Sequence, residues 1–231
     1  MIPLSIEFSS ILKNYIEAPK PSLQHIPLEY KKLQNFHTAG KETVKKCVPF
    51  LDSLTCGYII PFPIDIRFRY DDEKQKAFFD LNEAIPQEIK HFFEVSSHNE
   101  KQISNDLRYV HRTVEAVFKF INTWKIKTPK GYSCIFTQPF NRNLPFKIID
   151  GIVDTDTYPD VINFPFYWTN KVDTPFTMKG GSPMVLVIPF KRNSWKMKIK
   201  VNIEDPLNKI NYFSQIFDNY RNKFWTKKEY R

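Results

Sequence analysis

From Trp124 to Phe190 the chain breaks into short runs of alternating apolar and polar residues, separated by proline and glycine. This pattern limits the fold more than any other feature of the sequence. "WKIKTPKGYSCIF" is two such runs around "TPKG", a Pro-Gly turn signal, and it predicts a hairpin with Trp124, Ile126, Tyr132, Cys134 and Phe136 on one face. "FKIIDGIVD" and "VINFPFYW" predict further strands, with Ile162, Phe164, Phe166 and Trp168 sharing a side of the second, and with Ile152, Ile162, Phe164 and Phe166 pointing largely into the core. "PMVLVIPF" is continuously apolar, as expected of a strand covered on both faces. "SWKMKIKV" alternates without interruption and predicts a strand with Trp195, Met197, Ile199 and Val201 inward and Lys196, Lys198 and Lys200 outward. Many short strands in succession give a mainly β fold, a sandwich or barrel.

The remainder is read around that core. Residues 1–45, punctuated by Pro3, Pro19, Pro21 and Pro27, form a helical N-terminal extension, with short pieces at "SSILKNYI" and "LEYKKLQNF". Residues 46–204 form the β-rich domain. At its start a helix leads into a strand where Ile64, Ile66 and Phe68 alternate with Asp65, Arg67 and Arg69. "AIPQEIKHFF" predicts one or two helical turns, and "NEKQISNDLRYVHRTVEAVFKF" a loop followed by a strand. Residues 205–231 are a C-terminal amphipathic helix: Asp205 and Pro206 start it, and Ile210, Phe213, Phe217, Tyr220 and Phe224 recur at helical spacing.

Composition narrows the class. With 42% hydrophobic and 26% charged residues, the 231-residue chain has a globular balance; 21 Phe against 6 Gly supply a large aromatic core that needs no disulfide or metal staple. Three cysteines without CxxC spacing predict free thiols, and the absence of a basic start, a long apolar core or an 18-residue apolar run predicts no signal peptide and no membrane span. These features predict a protein of the cytoplasm of the producing or host cell. The net charge of +9 is compatible with an acidic partner, nucleic acid included, and equally with AT-biased coding.

The stretch "GIVDTDTYPDVINFPF" holds the chemistry most open to interpretation. Asp154, Asp156 and Asp160 are either clustered oxygen ligands and a general base, or turn carboxylates that accept from nearby amides; the turn reading is preferred. His98, Glu100 and His111 lack compact ligand spacing, so no metal site is predicted. Cys134 alternates inward and reads as a core thiol. The lysine stripe with Lys191 and Arg192 either grips phosphate or guards a sheet edge against aggregation.

In "TPKGYSCIFTQP…FKIIDGIVDTDTYPDVINFPF…TMKGGSPMVLVIPF", covering about residues 124–192, the order of elements resembles the dUTPase and dCTP deaminase family. The resemblance rests on Pro129, Gly131 and Pro139, then Gly151, Ile152, Val153, Asp154 and Asp156, then Lys179, Gly180 and Met184–Pro189. It implies a β-clip, jelly-roll-like fold, a trimeric assembly, and a role for Asp154 as the aspartate that activates water and holds the sugar. The segment also resembles a group of tailed-phage proteins sharing "TPxGYS" and "GIVDTDTY", which implies a phage-type structural or binding protein, virion-associated or bound to host proteins. Several of the enzyme family's parts are replaced. "QPFNRNLPF" stands where its Ser-rich phosphate loop belongs, leaving Asn141, Arg142, Asn143 and Lys179 as the candidate anion-binding residues. Leu186 replaces a glutamine, Ile59 replaces a metal-linked aspartate, and no glycine-rich arm ends the chain. Loss of the phosphate and metal machinery predicts loss of hydrolysis and no cofactor. The alternative is a divergent nucleotide hydrolase or deaminase, with Asp154 as base, Asp156 beside it and Mg as the metal.

Overall fold

The computed structural model describes residues 4–71, 76–81, 85–98, 117–169, 175–201 and 219–231. Fourteen strands are found among them, in chain order β1 (Glu7–Ser9), β2 (Lys20–Pro21), β3 (Tyr58–Pro61), β4 (Ile66–Asp71) and β5 (Lys76–Leu81). They continue with β6 (Val95–Ser97), β7 (Phe118–Phe120), β8 (Lys125–Lys127), β9 (Tyr132–Thr137) and β10 (Phe146–Ile148). The series closes with β11 (Gly151–Val153), β12 (Phe164–Trp168), β13 (Phe176–Met178) and β14 (Pro183–Lys191). The described α-helices are short: α1 (Leu28–Lys32), α2 (Val48–Thr55), α3 (Gln87–Lys90) and α4 (Asn219–Lys223).

The protein is mainly β, and all the described strand pairings are antiparallel. A five-stranded sheet runs β11-β9-β14-β3-β2, a four-stranded sheet β10-β12-β7-β6, a three-stranded sheet β13-β4-β5, and β1 pairs with β8. The sheets share one aromatic core. Phe62, just past β3, meets Phe120 and Phe146 edge-on at 5.2 and 5.7 Å, and Phe136 of β9 faces Phe164 of β12 at 5.7 Å. Phe120 and Phe166 stack at 3.7 Å, and Phe68 of β4 lies 3.8 Å from Trp168. β14 is central in its sheet, and Met184, Val185, Leu186 and Val187 are all buried, which accounts for its unbroken apolar run. Gly57 precedes β3 at φ +68, and a Cβ there would run into the Val187 carbonyl, so the approach of these two strands requires glycine.

The N-terminal segment is woven into this body: β1 pairs with β8, β2 with β3, and Leu12 and Ile16 join the core. "SSILKNYI" forms turns instead of the expected helix, because a stretch this short gains too few helical hydrogen bonds to nucleate one. Two further expectations are corrected. Residues 192–201 are in no strand, and Trp195, Met197, Ile199 and Val201 are 82% to 91% exposed instead of inward. Ile152 is also exposed, at 66%, because its register opposite Ile135 sets it on the outer face of the edge strand β11. Of the expected C-terminal helix, Asp205, Pro206, Ile210, Phe213 and Phe217 lie outside the described residues, as do Glu100 and His111. Tyr220 and Phe224 are exposed. The tail instead docks through Trp225, whose indole N–H donates to Asp52 of α2 at 3.0 Å, and through Tyr230, 5.8 Å from Tyr58. Among the described residues, no helix is long and apolar enough to cross a membrane.

Candidate functional site

The expected hairpin at "TPKG" is not formed: β8 pairs with β1, and β9 with β11 and β14, so the two strands are joined by a turn at Gly131, φ +85, without pairing with each other. β11 lies beside β9, so the chain leaving Val153 enters the acidic turn next to that β8–β9 turn. There the amides of Thr157 and Tyr158 both donate to the Asp154 carbonyl, at 3.0 and 2.9 Å, closing a helix-like turn. Side chains then leave in three directions. Thr155 is fully buried, sharing a hydrogen bond with Thr128 Oγ1 at 2.7 Å and donating to Cys134 Sγ at 3.4 Å. Asp154 faces solvent, and Asp156 turns back toward the β8–β9 turn.

The third contributor is Arg192, the first residue past β14, whose amide donates to the Gly131 carbonyl at 2.9 Å. Its guanidinium grips Asp156 with both ends: Nη1 donates to Oδ1 at 2.8 Å and Nη2 to Oδ2. Gly131 N–H donates to the same Oδ2 at 2.7 Å, and Lys127 Nζ donates to the Asp156 carbonyl at 2.6 Å. Nη1 also reaches Ser133 Oγ at 3.0 Å, the Tyr132 carbonyl at 3.2 Å and Asp154 Oδ1 at 3.1 Å, while Ser133 donates to that same Asp154 oxygen at 2.6 Å. The Arg192 fork and the Gly131 amide hold the Asp156 carboxyl well below the usual carboxylate range. A bidentate, charge-assisted pair of this kind fixes three chain segments relative to one another. Asp156 is therefore a structural anion whose carboxylate accepts three hydrogen bonds, and Asp154 a partly exposed neighbour in the same network.

The candidate anion-binding residues lie elsewhere. Asp154 bonds Ser133, near the start of β9, whereas Asn141, Arg142 and Asn143 follow its far end. Asn141 adopts φ +54 and donates through Nδ2 to Ser53 Oγ at 2.7 Å. Arg142 is half-buried, burial lowers its pKa, and among the described residues no carboxylate pairs with it. With Asn141, Asn143 and Leu144 it lines a groove of about 690 Å³, closed on the other side by Leu28, Glu29, Tyr30 and Leu33. Burial and the Arg142 charge both lower the pKa of His25. Lys179 is in a third place: it pairs with Asp65 at 2.7 Å, and Gly180 N–H donates to the same carboxylate at 2.8 Å. These two bonds lower the Asp65 pKa and tie the β13–β14 turn to the start of β4. The structure thus brings Asp154 and Asp156 together and sets Asn141–Asn143 and Lys179 apart from them.

Cys134 is buried in the core, and burial pushes its thiol up to about 11. Among the described residues, no group of three or more His, Cys, Asp and Glu is placed to hold a metal. Sequence reasoning grouped Arg192 with the lysine stripe and missed its role in the acidic turn. The two lie 36 residues apart, and only the β9–β14 and β9–β11 pairings bring them together. Comparison with protein-family models, with curated proteins and with solved structures finds no match to this chain.

Proposed function

We propose that this chain is a structural or binding protein of the phage type, assembled from several copies and without nucleotide hydrolase activity. The observation that supports this reading is the engagement of Asp156 by Arg192 and Gly131. A carboxylate held ionised by a guanidinium and an amide, with its pKa lowered, is a poor acceptor for a water proton. The separation of Asp154 from Asn141–Asn143 and Lys179 points the same way, because phosphoryl chemistry depends on base and anion-binding groups converging on one substrate. On this reading its partners are further copies of itself, a trimer being the arrangement the β-clip resemblance implies, and virion or host proteins. Its place is the host cytoplasm or the virion.

One observation favours the alternative of a divergent hydrolase or deaminase. Asp154 is 61% exposed, and its Oδ1 alone carries the hydrogen bonds described above. The two readings separate on incubation with a panel of (d)NTPs and Mg²⁺. The proposal expects no turnover above a buffer blank, for the native chain and for Asp154→Asn alike. Robust turnover abolished by Asp154→Asn would overturn it.

A further inference from the structure

The segment after β14 is the least explained part of the surface. The β14 ladder ends where Lys191 faces Tyr132, the first residue of β9, and the Arg192 amide makes the last bond, to Gly131 in the β8–β9 turn. β3 leaves β14 earlier still, at Val187. Residues 193–201 therefore have no strand left to join in their own sheet, and they form no backbone hydrogen bond with the described residues. Yet their sequence keeps the period of two of a half-buried strand, with Trp195, Met197, Ile199 and Val201 on one side and Lys196, Lys198 and Lys200 between them. Four large apolar side chains at alternate positions, each at least 82% exposed, have no strand partner among the described residues.

We infer that residues 193–201 are an exchange arm that adds as a strand to the open edge of β11 in a second copy of the chain. The inference rests on the assembling-protein reading above and names the segment that performs the assembly. The sheet edges among the described residues are β1, β2, β5, β6, β8, β10, β11 and β13, and β11 is assigned as the acceptor on its exposure and charge. β2 is blocked by Pro19 and Pro21, and β10 is flanked by Pro145 and carries Lys147 outward. β11 has no proline within it and presents Ile152, a large apolar side chain exposed at an edge. It is bordered by Asp150 and Asp154, with Asp160 further along the following turn, and these carboxylates are opposite in charge to the three arm lysines. Each already accepts within its own chain, Asp150 from Thr137, Asp154 from Ser133 and Arg192, and Asp160 from the Val161 amide, so the arm lysines would add to bonds already made. Main-chain bonds would supply the affinity, as in other strand additions, and the apolar row would be covered. Donor arm and acceptor edge are different surfaces of one molecule, so the contact is head-to-tail and closes a ring if the rotation permits.

Light scattering of the full chain at micromolar concentration tests this. The native protein is expected at a multiple of the 27.5 kDa chain mass. A donor variant, Met197→Glu with Ile199→Glu, and an acceptor variant, Ile152→Glu, are each expected as folded monomers with cooperative unfolding, since all three side chains face solvent in the isolated chain, and with midpoints lowered only by the loss of assembly. Mixing the two variants leaves one intact donor and one intact acceptor, and is expected to restore a two-copy species but no larger ring. A monomeric native chain overturns the inference. So does retention of the native mass by either variant, or failure of the mixture to associate. None of these readouts involves turnover, so the outcome is independent of the hydrolysis assay.

Discussion

At the scale of single residues, the acidic turn shows how carboxylates that look catalytic can serve the fold. Asp154 and Asp156 are separated by one residue in "DTDT", but the turn sends one to solvent and the other back toward the β8–β9 turn, where the Arg192 fork and the Gly131 amide meet it. The pH dependence has a definite sign. The folded-state pKa of Asp156 is depressed, so its contribution is fully present above its unfolded value, about 4, and is lost as pH falls below that. Asp65, lowered by Lys179 and Gly180, acts in the same direction and range. Chemical denaturation as a function of pH is expected to show stability declining below about pH 4. Asp156→Asn is expected to be less stable at neutral pH and to show a shallower acid decline. An unaltered acid limb in that variant would mean that the pair carries no linkage. The turn was legible in the density of Asp, Thr and Pro, but only Asp160 accepts from a nearby amide; the Asp154 and Asp156 carboxylates reach Ser133, Arg192 and Gly131 instead. The guanidinium was not, since nothing local to residues 151–166 points to a residue near position 190.

At the scale of elements, periodicity identified strands well where a neighbour was available and failed where none was. β9, β12 and β14 form where the sequence places strands, β14 is buried along its apolar run, and Phe164 and Phe166 are buried as the sequence suggests. The run "SWKMKIKV" has the clearest alternation in the chain, yet it forms no strand within its own subunit. Alternation reports what a segment needs to bury; the partner comes from elsewhere. The "SSILKNYI" turns and the exposed Ile152 show the complementary limit, set by length in one case and by edge position in the other. The buried side of this account carries a quantitative expectation. Phe166 packs against Phe120, Phe146, Phe118 and Trp168, so Phe166→Ala should cost about 3–5 kcal/mol in urea titration. Asp160, exposed and bonded only to the next amide, should cost about 1 kcal/mol or less as Asp160→Ala. A nearly silent Phe166→Ala would contradict the packing of β12 between β7 and β10.

At the scale of the whole molecule, three antiparallel sheets surround one aromatic core, and both ends of the chain are tied back to it, the N-terminus through β1 and β2 and the C-terminus through Trp225 and Tyr230. The sequence indicated the β core and the free buried thiol but not this closure, because β1 meets β8 and Asp52 meets Trp225 across more than a hundred residues. Arg192 stands at the junction of the two whole-molecule themes, since it locks the acidic turn on one side and begins the exposed arm on the other. The central claim is that this junction is structural. A double-mutant cycle on Asp156 and Arg192 tests it most directly, read by equilibrium unfolding beside turnover of a (d)NTP panel. The account predicts that Asp156→Asn and Arg192→Met each destabilise the protein, that the double variant is little worse than either single one, and that no form turns over nucleotide. Single variants that keep or gain stability while abolishing a turnover present in the native chain would contradict it.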